Sequence, residues 1–360
     1  MTPNLFAIAT KELSHDAVIT WLLQWANPTY KNEDHELHQC GLSLLKTFIP
    51  HLLTEKIIEV TASRQRSRID IWTEIILEDN SKILLIIENK VFANEHNNQL
   101  ERYKELAELY AKENGFRLEC VYVKIGSQAG KITKSIQQKG FRVIDRNMML
   151  AGLNVLPATA NQIFNDYRSF LQHIEDLHQR YLTLPIGKWD DNAWVGFYLY
   201  VESQIEINMW HFVNNPSGGF WNMCLNWGYW HAFPIYMQIE QGKLCYKIAV
   251  HSEETNGDNS KMDVNVIQKY IHEQLIDFAI GSGYAEIKKP VKQSWTGGYR
   301  TIAIVEQDKW LGDANEILEP GKAISSIRRQ FAFYDQFIKF LADKQYDNAG
   351  FEFITLVKDN

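Results

Sequence analysis

Apolar residues at the start of the chain recur with the spacing of amphipathic helices. Val18 and Leu22 share one face of a helix predicted over residues 16–25. The same period continues over residues 36–53, where Pro50 is expected to end or kink the helix. Two helices are therefore predicted before the first strand.

The pattern then changes to short runs rich in β-branched residues. Strands are predicted over residues 57–62, 69–77 and 82–90, and turn-forming residues at 78–81 separate the last two. A turn of that length indicates that these two strands pair antiparallel.

Helical spacing returns over residues 95–114, followed by Gly115 in the position of a C-terminal cap. Two more strands are predicted, over residues 118–124 and 142–145. This order of elements predicts an α/β fold, with a mixed sheet flanked by helices, over residues 1–155.

The remainder divides into a helical linker, residues 156–184, and an α+β C-terminal domain, residues 185–360. Eight of the eleven tryptophans follow residue 188, and most of them are expected in the core of that domain. The elements predicted there are a hairpin over 235–250, a helix over 263–279, a hairpin near Gly297 and Gly298, and a last helix over 324–341.

Composition and charge narrow the functional classes. The 360 residues are 45% apolar and 22% charged, which is typical of a folded globular protein. A net charge of −7 argues against a protein that coats nucleic acid, but it allows a local nucleic-acid site.

The four cysteines are too scattered for a zinc knuckle or a redox pair. With no signal-like N-terminus and no apolar run of about twenty residues, we expect a cytoplasmic protein without membrane segments.

Charged residues interrupt the apolar strands at one place. Glu88 and Lys90 lie two apart at the end of a strand, so their side chains leave the same face while Asn89 points to the other. Asp70 begins the preceding strand, and antiparallel pairing would bring it beside Glu88. We therefore expect two carboxylates and a lysine to converge.

Such a group is suited to phosphodiester hydrolysis. Asp70, Glu88 and the backbone carbonyl of Asn89 offer hard oxygen ligands to Mg²⁺, for which Mn²⁺ can substitute. Lys90 could orient or deprotonate the attacking water, or stabilise charge on the phosphate. The alternative is that Glu88 and Lys90 form an ordinary ion pair on an exposed strand end.

These motifs resemble the PD-(D/E)XK nuclease superfamily, in which an acid on one strand precedes E-x-K on the next. Asp70 matches the acid, although Ile69 stands where the motif has proline, and residues 88–90 match E-x-K. Gln99 and Tyr103 resemble the Q-x-x-x-Y element of the RecB-like branch, where such residues help to hold the DNA.

The same resemblance extends to the entry helix and implies a function. Glu12 is similar to an acid that approaches the metal in this superfamily. The resemblance implies a restriction-endonuclease-like fold and an Mg²⁺-dependent deoxyribonuclease acting in defence against foreign DNA or in DNA processing. An RNA-directed nuclease, or a non-catalytic module that binds nucleic acid or protein, remains an alternative. Beyond DNA, the candidate partners are a protein bound through the C-terminal domain and a second copy of the chain.

Three arginines alternate just before the first acid. On a continuous strand Arg64, Arg66 and Arg68 would form one cationic stripe that could contact phosphates. The alternative is a solvated basic face.

Overall fold

The structure, a computed structural model, describes residues 3–93, 95, 98–156, 159–216, 218–251, 264–292 and 296–343. It divides into two compact units, Met1–His178 and Gln179–Asn360. Within the described ranges, no helix combines the length and the apolar character needed to cross a membrane.

The first unit is an α/β domain, as predicted. Its helices are α1 Leu5–Ile8, α2 Glu12–Trp25, α3 His35–Phe48, α4 Gln99–Asn114, α5 Gly130–Gln138, α6 Arg146–Leu153 and α7 Gln162–His178. Its strands are β1 Ile57–Arg66, β2 Ile69–Leu77, β3 Lys82–Lys90, β4 Phe116–Lys124 and β5 Arg142–Asp145. The five strands form one mixed sheet in sequence order.

Strand pairing sets the geometry of the sheet centre. β2 pairs antiparallel with β3, and Ile71 lies opposite Ile87. β3 pairs parallel with β4, so that Lys90 lies beside Lys124. The start of β2 and the ends of β3 and β4 therefore meet at one edge of the sheet.

Each face of the sheet is covered by its own apolar cluster. On one face α2, α3 and α7 pack against side chains that include Ile71, Ile75 and Ile87. On the other, α4 packs against side chains that include Leu84 and Ile86. Both faces of β3 are thus buried, which explains its nearly continuous apolar sequence.

Local signals explain where the helices end. Gly115 has φ 72° at the end of α4, which is the left-handed conformation expected of a cap glycine. α3 ends at Phe48, just before Pro50. α7 covers most of the helical linker predicted over 156–184, but Phe164, Tyr167 and Leu171 lie in the core of the first unit. The segment predicted as a linker therefore belongs to that unit as far as His178.

The second unit has the predicted α+β character. A six-stranded antiparallel sheet has the order β10-β11-β9-β8-β7-β6. Its strands are β6 Met209–Val213, β7 Phe220–Trp230, β8 Phe233–Glu240, β9 Lys243–Ala249, β10 Ile287–Lys288 and β11 Tyr299–Val305. Its helices are α8 Asp191–Gln204, α9 Val264–Gly281, α10 Gln307–Trp310 and α11 Pro320–Asp343.

Most elements predicted for this unit are present. β8 and β9 form the predicted hairpin. α9 corresponds to the helix predicted over 263–279, of which Asp263 lies outside the described residues. β10 and β11 pair antiparallel, but residues 289–298 separate them, so the connection is longer than the hairpin predicted at the two glycines. Four tryptophans are buried as expected, Trp194, Trp210, Trp230 and Trp310, whereas Trp295 lies outside the described residues.

Candidate active site

The two strand ends that carry the predicted acids meet at one edge of the sheet in the first unit. The Asn89 backbone N–H donates to Asp70 Oδ2 at 3.0 Å. Asp70 is therefore held beside the end of β3, as the antiparallel pairing predicts.

Glu88 and Lys90 project from the face of β3 that α4 covers. Glu88 is 1% exposed and Lys90 is 9% exposed. Lys90 Nζ lies 2.5 Å from Glu88 Oε1, whereas neither Glu88 oxygen accepts a hydrogen bond of regular geometry from the described residues. The contact between Lys90 and Glu88 is an ion pair, since attraction between opposite charges does not require the geometry of a hydrogen bond.

Burial and the neighbouring charges change the proton affinities of this pair. Burial, followed by the Asp70 carboxylate, raises the pKa of Glu88. Burial acts to lower the pKa of Lys90, but the carboxylates of Glu88, Glu12 and Asp70 outweigh it and raise the pKa. Lys90 is therefore stabilised as an ammonium ion.

The Asn89 side chain points to the opposite face of the sheet and meets a residue that the sequence motifs did not indicate. Its Nδ2 donates to Asp16 Oδ1 at 2.9 Å. Asp16 lies on α2 and is 1% exposed. Burial, and then the Asp70 carboxylate, raises the pKa of Asp16 to about 7. The available signal was an aspartate within an otherwise apolar helix face.

Glu12, at the start of α2, reaches the same strand end. Its Oε1 accepts from the Val91 N–H at 3.3 Å, and its Oε2 lies 3.9 Å from Lys90 Nζ. The structure thus places Glu12 near the lysine, and its approach to a metal ion stays a prediction. His15, one turn further along α2, packs among the rings of Phe6, Tyr167 and Phe170.

Lys124 is a second buried lysine that sequence reasoning missed. It is 2% exposed and lies beside Lys90 in the register of β3 and β4. Its Nζ donates to the backbone carbonyls of Phe92, at 3.2 Å, and Ala93. Burial lowers the pKa of Lys124 to about 8, against the opposing effect of Glu12. Its signal in the sequence was a lysine that ends an apolar strand.

Gln99 and Tyr103 lie on the first turns of α4, which covers the Glu88 face of the sheet. Gln99 Nε2 donates to the Tyr103 hydroxyl at 2.9 Å. The Gln99 backbone N–H donates to Glu95, which also pairs with Lys139 at 3.1 Å. The two residues of the predicted Q-x-x-x-Y element therefore form one hydrogen-bonded pair on an anchored helix start.

The predicted stripe of three arginines does not form. Arg66 pairs with Ile69, which leaves Ser67 and Arg68 as a two-residue turn with φ 55° and 70°. Positive φ at both positions is typical of the hairpin turn that matches strand twist. Because this turn interrupts the alternation, Arg68 lies at the hairpin tip and is not on the strand that carries Arg64 and Arg66.

The two remaining arginines have different surroundings. Arg66 donates to Glu74 at 2.7 Å, and its guanidinium lies 4.5 Å from the Trp72 ring centre and 4.7 Å from that of Tyr110. Arg64 is exposed, and its positive charge partly opposes the rise in the pKa of Asp16. Of the three arginines, Arg64 is therefore the one whose charge acts on a carboxylate of this site.

The donor set is compatible with a divalent metal ion. No group of three or more His, Cys, Asp or Glu side chains suited to a metal occurs among the described residues. Asp70 and Glu88 nevertheless provide two adjacent carboxylates. Among the described residues, the Glu88 oxygens accept no hydrogen bond of regular geometry. Mg²⁺ is commonly bound by one or two carboxylates while it retains several waters, so these oxygens fit that ion.

Comparison with known proteins agrees with this geometry. Residues 3–151 match the family model described as PD-(D/E)XK nuclease superfamily. No curated protein and no solved structure matches the chain. The matched region contains the whole sheet of the first unit and all the site residues described above. The N-terminal part of the chain is therefore similar to the PD-(D/E)XK nuclease superfamily over residues 3–151, as its motifs predicted.

Proposed function

We propose that this protein is a metal-dependent nuclease that hydrolyses phosphodiester bonds in DNA, with Mg²⁺ as the ion and Mn²⁺ as a substitute. The observation that carries the proposal is the convergence of Asp70 with the buried Glu88 and Lys90 at one sheet edge. The family match to residues 3–151 supports the same class of reaction.

The proposed roles follow from the donor types. Asp70 and Glu88, with the Asn89 carbonyl and Glu12, would hold the metal ion. When bound, the ion would polarise the phosphate and lower the pKa of a bound water. Lys90 is favoured as an ammonium ion, so we assign it to stabilising negative charge on the phosphate and not to removing a proton from water.

The remaining candidate residues would act on the substrate strand. Gln99 and Tyr103 lie on α4 above the Glu88 face, and we propose that they position the strand, as in the RecB-like branch. Arg64, Arg66 and Arg68 were predicted as phosphate contacts, and Arg64 is best placed for that role because Arg66 is paired with Glu74. Phosphate contacts of this kind orient a strand without reading its sequence.

The test compares the wild type with Lys90→Ala, Glu88→Gln and Lys82→Ala. Lys82 is an exposed lysine at the other end of the same strand, so its substitution is a matched control. Plasmid, linear duplex, single-stranded DNA and RNA are incubated with Mg²⁺, Mn²⁺ or EDTA. We expect cutting of DNA that requires metal, is lost in the Lys90 and Glu88 variants and is retained in the Lys82 variant.

Other outcomes select the alternatives. Cleavage of RNA alone would identify an RNA-directed nuclease. This outcome is open because the proposed metal site acts on the phosphate, which DNA and RNA share. Binding without cutting in either metal would indicate a non-catalytic module. Full activity of Lys90→Ala in folded protein would overturn the proposed mechanism.

The second unit is proposed to recognise the substrate or a partner protein. The supporting observation is that the family match ends at residue 151, whereas this unit has its own sheet and core. We further propose a role in defence against foreign DNA or in DNA processing. Sedimentation of the full chain, alone and with DNA, tests the expected homodimer.

A further inference from the structure

Phe92 lies directly beyond the catalytic strand and is 65% exposed. It follows Lys90 by two residues, so its Cα is within about 7 Å of the Lys90 Cα. A single exposed aromatic residue is ordinary on a protein surface. What distinguishes Phe92 is that several hydrogen bonds hold the backbone around it.

The backbone that carries Phe92 is held from both sides. The Gly126 N–H donates to the Val91 carbonyl at 2.6 Å, and the Ile125 N–H donates to the Lys90 carbonyl at 3.0 Å. The Val91 N–H in turn donates to Glu12. The chain leading to Phe92 is thus tied to β4 and to α2.

Lys124 fixes the other side of the residue. Its buried Nζ donates to the carbonyls of Phe92 and Ala93. Burying a lysine is unfavourable unless its donors are satisfied, and these carbonyls satisfy two of them. The structure therefore uses a buried cation to hold a segment that carries an exposed aromatic ring.

Gly126 determines how close the ring lies to the sheet. A Cβ atom at Gly126 would lie 2.5 Å from the Val91 carbonyl oxygen and 3.1 Å from Phe92 Cδ1. A side chain at this position would clash with the Val91 carbonyl and would also press on the ring edge, so glycine leaves room for both. The ring is consequently supported along one edge while most of its surface faces solvent.

We propose that Phe92 is a base-stacking residue, which packs its ring on an unpaired nucleobase beside the phosphate bound at Asp70 and Glu88. Lys124 and Gly126 are positioning residues for it. The ligand class is a single-stranded or frayed nucleic-acid strand, because a base paired within a duplex does not offer its face to a side chain. This inference rests on the proposed nuclease function.

Abasic substitution tests the contact directly. A labelled single-stranded DNA, and a series in which one base at a time is absent, are bound in Ca²⁺ to the wild type, Phe92→Ala, Phe92→Trp and Leu109→Ala. Leu109 is the matched control, since it is 59% exposed on α4. Aromatic stacking is commonly worth about a tenfold change in affinity per base.

We expect the wild type to lose about tenfold in affinity at one abasic position. Phe92→Ala should bind the intact strand about tenfold more weakly and no longer respond at that position, whereas Phe92→Trp and Leu109→Ala should behave as the wild type. Unchanged affinity of Phe92→Ala, an unchanged abasic response in that variant, or no binding by the wild type would overturn the proposal.

Cleavage in Mg²⁺, measured in parallel, separates this inference from the proposed function. Binding with the expected base response but without cutting would support stacking and contradict the nuclease. Cutting by the wild type with an unaffected Phe92→Ala would support the nuclease and contradict stacking.

Discussion

Asn89 is hydrogen-bonded to Asp16 through its side chain and to Asp70 through its backbone. Its side-chain amide donates to Asp16 Oδ1 at 2.9 Å, and its backbone N–H donates to Asp70 Oδ2 at 3.0 Å. Asp16 and Asn89 are 73 positions apart in the chain. The helix before the sheet therefore helps to set the position of the first acidic residue of the motif.

This relationship predicts different results for two substitutions of Asp16. Asp16→Ala should lower the free energy of unfolding by about 1–3 kcal/mol, because the buried Asn89 amide loses its acceptor. It should also weaken metal-dependent activity through Asp70. Asp16→Asn retains an acceptor oxygen and should recover most of the loss. Chemical unfolding and metal titration of activity measure the two effects, and equal results for both variants would exclude the hydrogen bond as the cause.

Gln99 and Tyr103 are expected to act as one unit. Gln99→Ala and Tyr103→Phe each remove the hydrogen bond between them, so the double variant should lose little more activity than either single variant. We expect the loss to appear mainly in KM, since the pair is assigned to positioning the strand. The double-mutant cycle is measured with the DNA substrate, and additive losses would show that the two side chains act separately.

Arg64 and Arg66 should differ although they are two residues apart. Arg64→Ala should weaken DNA binding and reduce the slope of log affinity against log salt by about 1, as expected for one lost phosphate contact. Arg66→Ala should instead lower stability by about 1 kcal/mol, since Arg66 packs on Trp72 and Tyr110. Salt titrations of binding and unfolding curves of both variants test this, and a salt effect confined to Arg66→Ala would contradict the assignment.

The buried His15 side chain is expected to make the protein less stable as the pH falls. Both ring nitrogens are buried without a hydrogen-bond partner among the described residues, and burial lowers the pKa of His15 from 6.5 to about 4. Between these values the unfolded chain binds more protons at this position, so the free energy of unfolding falls as the pH falls. His15→Leu should lack this contribution, which approaches about 3 kcal/mol at pH 4.

The measurement compares unfolding of the wild type and His15→Leu from pH 7 to pH 4. His173→Leu, an exposed position on α7, is the control and should keep the wild-type pH dependence. Parallel curves for the wild type and His15→Leu would show that the buried imidazole is not the source.

Sequence periodicity was sufficient for the sheet and for the main acids. The apolar run of β3 ends abruptly at Glu88, and the short turn after β2 brings the end of β3 beside Asp70. Local chain geometry controls both features, because strand alternation and a four-residue turn set which side chains share a face and which strand ends meet. The α/β fold and the resemblance to the nuclease superfamily followed from these positions.

The arginine prediction shows where local pattern is insufficient. Alternation of Arg64, Arg66 and Arg68 predicts one face only if the strand continues, but a two-residue turn at Ser67 and Arg68 reverses the chain. Neither residue is a typical former of this turn, which strongly favours Asn and Gly. Pairing with β2 decided the turn, and this pairing is a tertiary property.

The sequence by itself determined the five strands and the main helices of the first unit, the α/β class, and the pair of acids with a lysine. Only the tertiary structure decided that Asp16 supports Asn89 and that Lys124 holds the carbonyl of Phe92. These contacts join segments that are distant in the chain, so no periodicity records them. They exist because burial leaves each polar group few possible partners, and the packing of α2 and β4 against β3 supplies those partners.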